Sequence, residues 1–243
     1  KNDKTDSSNI TKKQNLLCER SIQKNLQPGE IMGFWQNRWQ SQKIGWHREI
    51  YNDLLLKYWQ EINASENSSV LVPLCGKSLD MLWLAKQGHS VVGLEMVQQA
   101  VEKFFHENNL EYDSVEIGNH KKYSNQQFTI YQGDVFDLEP GTIQADYWYD
   151  RAAMIAIDPS TRAEYVDQIR KQTKQGAVGL LITFAYPQEQ MQGPPFALHD
   201  YEVRSLFSDG FELECLEKID LDDEKDRGLT KETSSVFKIT RID

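Results

Sequence analysis

Basic side chains are the scarcer charge in this 243-residue sequence: 27 Lys and Arg stand against 37 Asp and Glu, for a formal charge of −10. That balance argues against a nucleic-acid surface, whose affinity comes mainly from Lys and Arg neutralising phosphates, and it favours a small-molecule partner. Cysteine is also sparse. Cys18, Cys75 and Cys215 lie far apart, form no CxxC pair and leave an odd count, so neither a disulfide framework nor a zinc site is indicated. No metal is expected, and the usage suits a reducing, cytoplasmic setting. No apolar run approaches the length that spans a membrane, and the first residues lack the apolar core of a signal peptide. No internal repeat is present. The length suits one sizeable α/β domain with its own core.

The most informative stretch is residues 69–95, SVLVPLCGKSLDMLWLAKQGHSVVGLE. Val70, Leu71, Val72 and Leu74 form an apolar run without alternation, as expected of a parallel strand covered on both faces. Cys75, Gly76, Lys77 and Ser78 break it. A helical period follows through Leu79, Leu82 and Trp83, with Gly88 as the stop, and a second apolar run ends on Glu95. Strand, glycine turn, helix and a second strand ending in an acid make one nucleotide-binding half of a doubly wound fold. In that arrangement Gly76 lets a ligand approach the backbone, and the Glu95 carboxylate can accept both hydroxyls of a ribose.

Glycine is too scarce here for the competing motifs. Gly76-Lys77-Ser78 resembles the end of a P-loop, but Leu71 stands where that loop needs its first Gly. A dinucleotide fingerprint needs three glycines and only Gly76 is present. A nucleoside without phosphates is therefore expected, with S-adenosylmethionine the usual case.

The remaining chain is placed around that unit. Residues 1–30 read as a loosely attached polar extension, helical in part, ahead of a catalytic domain over 31–243. Phe34, Trp35, Trp39 and Trp46 crowd the next segment, and Trp35 and Trp39 share a face at i, i+4 spacing. Two readings stand there: a helix pinned to the core by aromatics, or a cover over a bound cation. Helices are expected over 51–62, 97–108, 161–175 and 199–207, and further strands over 128–132, 145–149, 177–184, 211–219 and 234–242, the last two forming an antiparallel edge. Residues 111–127 read as an irregular excursion or short hairpin, and 220–231 as an acidic loop. Asp134, after the third core strand, either borders a base or caps its own turn. Asp150 and Arg151 end the fourth strand, as a ligand site or as a salt bridge. Arg151 can hold a carboxylate or an anionic substrate through its fork of donors. YPQEQMQGPPF gathers three of the seven prolines into a loop that can roof a pocket.

With FWQNRW, IGWH, VLVPLCGKSLDMLWLAKQGHSVVGLE, FDLE, YDRAAMIAI and GPPF in this order, the sequence from about Phe34 to its end resembles the thiopurine S-methyltransferase family. The resemblance implies a Rossmann-like, seven-stranded, mostly parallel class I methyltransferase sheet with S-adenosylmethionine as methyl donor and S-adenosylhomocysteine as product. It places cofactor contacts on Trp35, Trp39, Leu74, Glu95, Asp134, Val135 and Arg151. Trp46 matches a position, usually Phe, on the substrate side. Methyl transfer to a soft nucleophile needs orientation more than acid–base help, so no essential base is expected; Asp150 and Arg151 would position substrate, and His47 stays open between a structural role and a base. The acceptor expected is an aromatic or heterocyclic thiol, handled by a monomer. A methyltransferase for thiocyanate, halide or chalcogen oxyanions, a catalytically silent cofactor-binding protein and a nicotinamide oxidoreductase are the alternatives.

Overall fold

The computed structural model describes residues 28–221 and 228–243. The polar extension up to residue 27 and the centre of the acidic loop lie outside the described residues. The chain opens with helix α1 (Pro28–Gln40) and, after a turn, helix α2 (Asp53–Tyr58), which runs on as a 3-10 turn over Trp59–Ile62. Asn52 caps α2, its side-chain oxygen accepting from the N–H groups of Leu54 and Leu55. There follow β1 (Ser69–Val72), α3 (Asp80–Lys86), β2 (Ser90–Glu95), α4 (Gln98–Glu107), β3 (Asp113–Ile117), β4 (His120–Ser124) and β5 (Phe128–Gln132). The second half holds β6 (Ala145–Arg151), α5 (Arg162–Gln172), β7 (Thr173–Ile182), α6 (Asp200–Leu206), β8 (Phe211–Asp220) and β9 (Thr233–Arg241).

One nine-stranded sheet results, in the order β3-β4-β5-β2-β1-β6-β7-β9-β8. Its centre, β5-β2-β1-β6-β7, is parallel, and β9 and β8 add antiparallel strands beyond β7. These are the seven strands expected. The other two are the hairpin β3–β4, which extends the opposite edge and resolves the ambiguous segment as regular structure. From β1 the chain steps outward through β2 to β5, then returns to β6 on the other side. The strand order thus reverses between β1 and β6, and that is where a doubly wound sheet opens a crevice at its carboxyl edge.

Burial on both faces explains the unbroken apolar runs. Leu71, Leu181 and Phe237 face α5 and α6, packing with Tyr165, Ile169, Val203 and Phe207. Val70, Leu180 and Val236 face α2, α3 and α4, packing with Leu55, Leu84, Val101 and Phe104. Successive strand residues point to opposite faces, so neighbours such as Val70 and Leu71 serve different layers and neither position tolerates a polar side chain.

Two expected boundaries shift. The helix expected to run to Gln175 and close on Gly176 ends at Gln172, because the Thr173 hydroxyl takes up the Ile169 carbonyl at 2.7 Å and the chain goes straight into β7. Gly176, at φ +79°, lies inside that strand, where the register with β6 is irregular. After β6 the chain makes one 3-10 turn, Met154–Ala156. Ala152 turns left-handed there, at φ +67°.

Candidate functional site

Above the carboxyl edge of β1, β2, β5 and β6 lies a cavity of about 700 Å³. Its floor is the turn after β1. Leu74 (φ +46°) and Gly76 (φ +54°) both adopt left-handed backbone there, and the Cys75 N–H donates to the Leu94 carbonyl at 2.8 Å. A Cβ on Gly76 would sit 3.3 Å from the Trp39 ring and 4.0 Å from Glu95 Oε2, so the glycine is required by conformation and by space.

Glu95 ends β2 and is buried. Its Oε2 accepts from Gly76 N–H at 2.8 Å and its Oε1 from Val97 N–H at 2.8 Å. One carboxylate thus braces the turns after β1 and β2 and still borders the cavity with its remaining lone pairs. Burial raises its pKa to about 7, against the lowering effect of the backbone donors at Val97, Gly76 and Met96.

The third wall is the turn after β5. Asp134 and Val135 both line the cavity. Asp134 Oδ1 caps its own turn, accepting from Phe136 N–H at 3.0 Å, while its carbonyl lies 2.8 Å from His120 Nε2. A carbonyl only accepts, so that ring nitrogen carries the proton. His120 comes from the hairpin, and its ring fills the space beside Gly133 that a Cβ would enter at 2.5 Å. No local signal in HKKYS announces this role; it exists only once β4 pairs with β5.

Arg151, at the end of β6, does not pair with Asp150. Its Nη1 donates to the Trp46 carbonyl at 2.6 Å, and its Nε lies 3.7 Å from Oδ2 of Asp80. Asp80 is 1% exposed, in the first turn of α3; it also accepts from Asn52 N–H at 2.8 Å and the Tyr149 hydroxyl at 2.9 Å. This carboxylate is the buried counter-charge to Arg151 that the sequence did not reveal. Asp150 is placed elsewhere: its Oδ2 accepts from Tyr165 at 2.6 Å and its Oδ1 from Met154 N–H at 3.1 Å, away from the cavity lining. A substrate-positioning role for Asp150 therefore has no geometric basis; strand alternation sends its side chain under α5. Burial raises its pKa to about 6.

The aromatic segment closes the mouth. Trp39 is 2% exposed and packs on Val97 and Ala100 at the start of α4. Trp46 meets Trp35 edge to face at 5.4 Å and Trp39 at 6.1 Å. All three border the cavity, and Trp39 pins α1 to the core. His47 lines the same side. Opposite, the proline-rich loop contributes Phe196. Its N–H donates to the Ile155 carbonyl at 2.7 Å, and Arg162, fully buried, donates to the Ala197 carbonyl at 3.0 Å and to Glu202 at 2.6 Å. Arg162 is a third residue that sequence reasoning missed, after His120 and Asp80.

Among the described residues, no group of three His, Cys, Asp or Glu side chains is placed to hold a metal, and no helix is long and apolar enough to cross a membrane. The residues present fit a nucleoside sulfonium: a buried carboxylate beside a glycine turn for a ribose, a second turn with an unengaged carboxyl oxygen, and an indole wall for positive charge.

Comparison with known proteins agrees. The thiopurine S-methyltransferase family matches residues 31–241. The thiopurine S-methyltransferase of Shewanella baltica strain OS185 is 45% identical over 190 residues, covering 78% of this chain and 87% of that protein. That of Shewanella pealeana is 41% identical over 213 residues, covering 86% and 97%. Among solved structures, a putative methyltransferase from Bacillus halodurans superimposes with a TM-score of 0.57 at 15% identity, covering 78% of this chain and 99% of that one. A TehB-like SAM-dependent methyltransferase from Corynebacterium glutamicum gives 0.54 at 13% identity, covering 89% and 100%. At such identities the structures speak to the fold alone. The family match, the two relatives and the residues around Glu95 together establish that this chain belongs to the thiopurine S-methyltransferase family and uses S-adenosylmethionine as its methyl donor.

Proposed function

We propose that the protein methylates the sulfur of a small aromatic or heterocyclic thiol, acting as a monomer in the cytoplasm, with residues 31–243 as the catalytic unit. The observation that carries this reading is the composition of the cavity. Its lining joins the polar groups Glu95, Gly76 and Asp134 with the rings of Trp35, Trp46 and Phe196. An indole-lined space next to a nucleoside end suits a flat, apolar acceptor.

In this reading Glu95 accepts the ribose hydroxyls, Leu74 and Gly76 offer backbone to the ligand, and Asp134 and Val135 border the base. Trp35 and Trp39 cover the ligand, Arg151 holds a carboxylate, and Trp46 and Phe196 sandwich the acceptor. S-adenosylmethionine supplies a methyl group on a positively charged sulfur, already activated for transfer. The chain's contribution is then mostly orientation and exclusion of water, for which aromatics packed edge to face and a pinned guanidinium are suited.

The test is thermal unfolding with S-adenosylhomocysteine and, separately, with NAD, followed by an acceptor screen from aromatic thiols to iodide and selenite. At a hundredfold excess over its dissociation constant the homocysteine nucleoside should add about 2.7 kcal/mol of stability. Stabilisation by it alone, with turnover of thiols over anions, is the expected result. Stabilisation by NAD instead, or turnover of iodide and selenite only, would overturn the reading.

A further inference from the structure

A thiol acceptor carries a proton that must leave before, or as, its sulfur takes the methyl group. The histidine among the cavity-lining residues is His47. It stands on the turn after α1, its N–H donating to the Ile44 carbonyl at 2.8 Å. The preceding carbonyl, that of Trp46, is the one that receives Arg151. The backbone at this point is therefore tied to the end of β6, which holds His47 at the cavity wall. Its side chain is 8% exposed, yet neither ring nitrogen forms a hydrogen bond with the described residues. Nε2 lies 3.6 Å from Oε1 of Glu49, beyond hydrogen-bond reach, and the Glu49 side chain is 90% exposed. A mostly buried imidazole without a partner has donor and acceptor capacity available to a ligand.

The charged groups around it are Lys77, Arg151, Glu49 and Glu107. Lys77 borders the cavity and is held by Glu107 at 2.6 Å. Burial first, then Lys77, with a smaller effect from Arg151, hold the His47 pKa below its ordinary value; Glu49 and Glu107 oppose them. The ring is thus kept neutral and able to accept a proton, while the same two cations favour a thiolate over a thiol nearby.

We propose that His47 is the catalytic proton acceptor for the thiol, and that Glu49 passes the proton on to solvent. This rests on the reading of the acceptor as a thiol. The imidazole takes the S–H proton. The electron pair left on sulfur forms the new carbon–sulfur bond as the methyl's bond to the donor sulfonium breaks, and that bond's pair stays on the donor sulfur, which becomes a neutral thioether. The imidazolium then releases its proton through the Glu49 carboxylate to water.

Two acceptors of similar size separate this role from a structural one: 4-nitrothiophenol, already ionised at pH 7, and phenylmethanethiol, protonated there. His47→Gln should lower kcat/KM for phenylmethanethiol by about 100-fold, the usual worth of a positioned base, and leave 4-nitrothiophenol within about threefold. Retained turnover of the ionised thiol shows at once that the variant is folded. A second readout needs no methyl transfer: in the S-adenosylhomocysteine complex, the short-wavelength ultraviolet difference band of the bound phenylmethanethiol thiolate should appear at lower pH in the wild type than in His47→Gln. Equal loss with both thiols, or no loss with either, would overturn the proposal. If the wild-type protein binds the homocysteine nucleoside but methylates neither thiol, the thiol reading itself fails and the role of His47 falls with it.

Discussion

At the scale of single residues, Glu95 shows how a buried carboxylate on the cavity wall is held at a cost. Two backbone donors fix its carboxylate, but removal from water raises its pKa to about 7. A carboxyl whose folded pKa lies above its unfolded value contributes stability that is complete below about pH 4.5 and is lost as pH rises through about 7. Ionisation therefore destabilises the free protein by about 3 kcal/mol at most. A ribose that hydrogen-bonds to the ionised form favours that form in return. Lowering the pH from 8 to 6 should then weaken S-adenosylhomocysteine binding by about tenfold, the drop in ionised fraction for a group titrating near 7. Glu95→Gln should flatten that profile and weaken binding by about 10- to 100-fold at pH 8, from lost charge-assisted hydrogen bonds. Isothermal titration calorimetry at the two pH values decides it; an unchanged profile in the variant would remove Glu95 from the ribose.

At the scale of elements, the cavity wall at Phe196 depends on a clamp that spans three of them. Arg162, in the first turn of α5, donates to Glu202 of α6 and to the carbonyls of Phe196 and Ala197 in the loop between β7 and α6. The loop is closed from its own side as well, with Gln188 accepting from Ala197 N–H at 2.8 Å and Tyr186 donating to the Pro195 carbonyl at 2.6 Å. Proline supplies no N–H, so a loop rich in it must be held by side chains. Replacing Arg162 by Met fills similar volume but leaves those carbonyls and Glu202 without their donor. Loss of one partner of a buried ion pair costs about 3–5 kcal/mol. Arg162→Met should therefore lower the unfolding midpoint in urea, and among the molecules that remain folded it should raise KM for the acceptor. Affinity for S-adenosylhomocysteine should change little, since no hydrogen bond of this clamp reaches Glu95 or Gly76. Parallel loss of both affinities would show that the loop supports the whole cavity rather than its acceptor end.

At the scale of the whole molecule, the two edges of the sheet carry different burdens, and they were unequally legible in the sequence. The carboxyl edge announced itself because its chemistry is local: Gly76 and Glu95 sit at a fixed spacing across one strand–helix–strand unit, and Trp35 and Trp39 share a helix face. Asp80, His120 and Arg162 were invisible because each acts through partners distant in the chain, and a polar residue in the first turn of a helix or in a hairpin looks like a solvated one until the fold brings its partner near. The passage from α5 into β7 was obscured for a related reason, since the stretch from Gln172 to Gly176 is polar and strand pairing, not composition, makes it a strand. The amino edge carries a stability device. His89 is buried between Trp59 and Ser68: the Trp59 indole N–H donates to Nε2 at 3.2 Å, so Nδ1 bears the proton and donates to the Ser68 hydroxyl at 3.0 Å, which donates to the Ser65 carbonyl at 2.7 Å. A second proton on the ring would face the indole N–H head-on, and burial already holds the pKa below its ordinary value. A histidine depressed in this way contributes stability that is fully present above about pH 6.5 and is lost as pH falls through its folded value. Over the same range Glu95 and Asp150 act in the opposite sense, so the raw pH profile of the protein mixes both. A comparison with His89→Gln cancels the carboxyl contributions: the wild type should be the more stable by about 1–2 kcal/mol at pH 7, for a buried hydrogen-bonded network disturbed, and the gap should narrow steadily by pH 5. Urea unfolding of the two proteins at several pH values measures that gap, and one that stayed constant would mean that His89 does not titrate with folding.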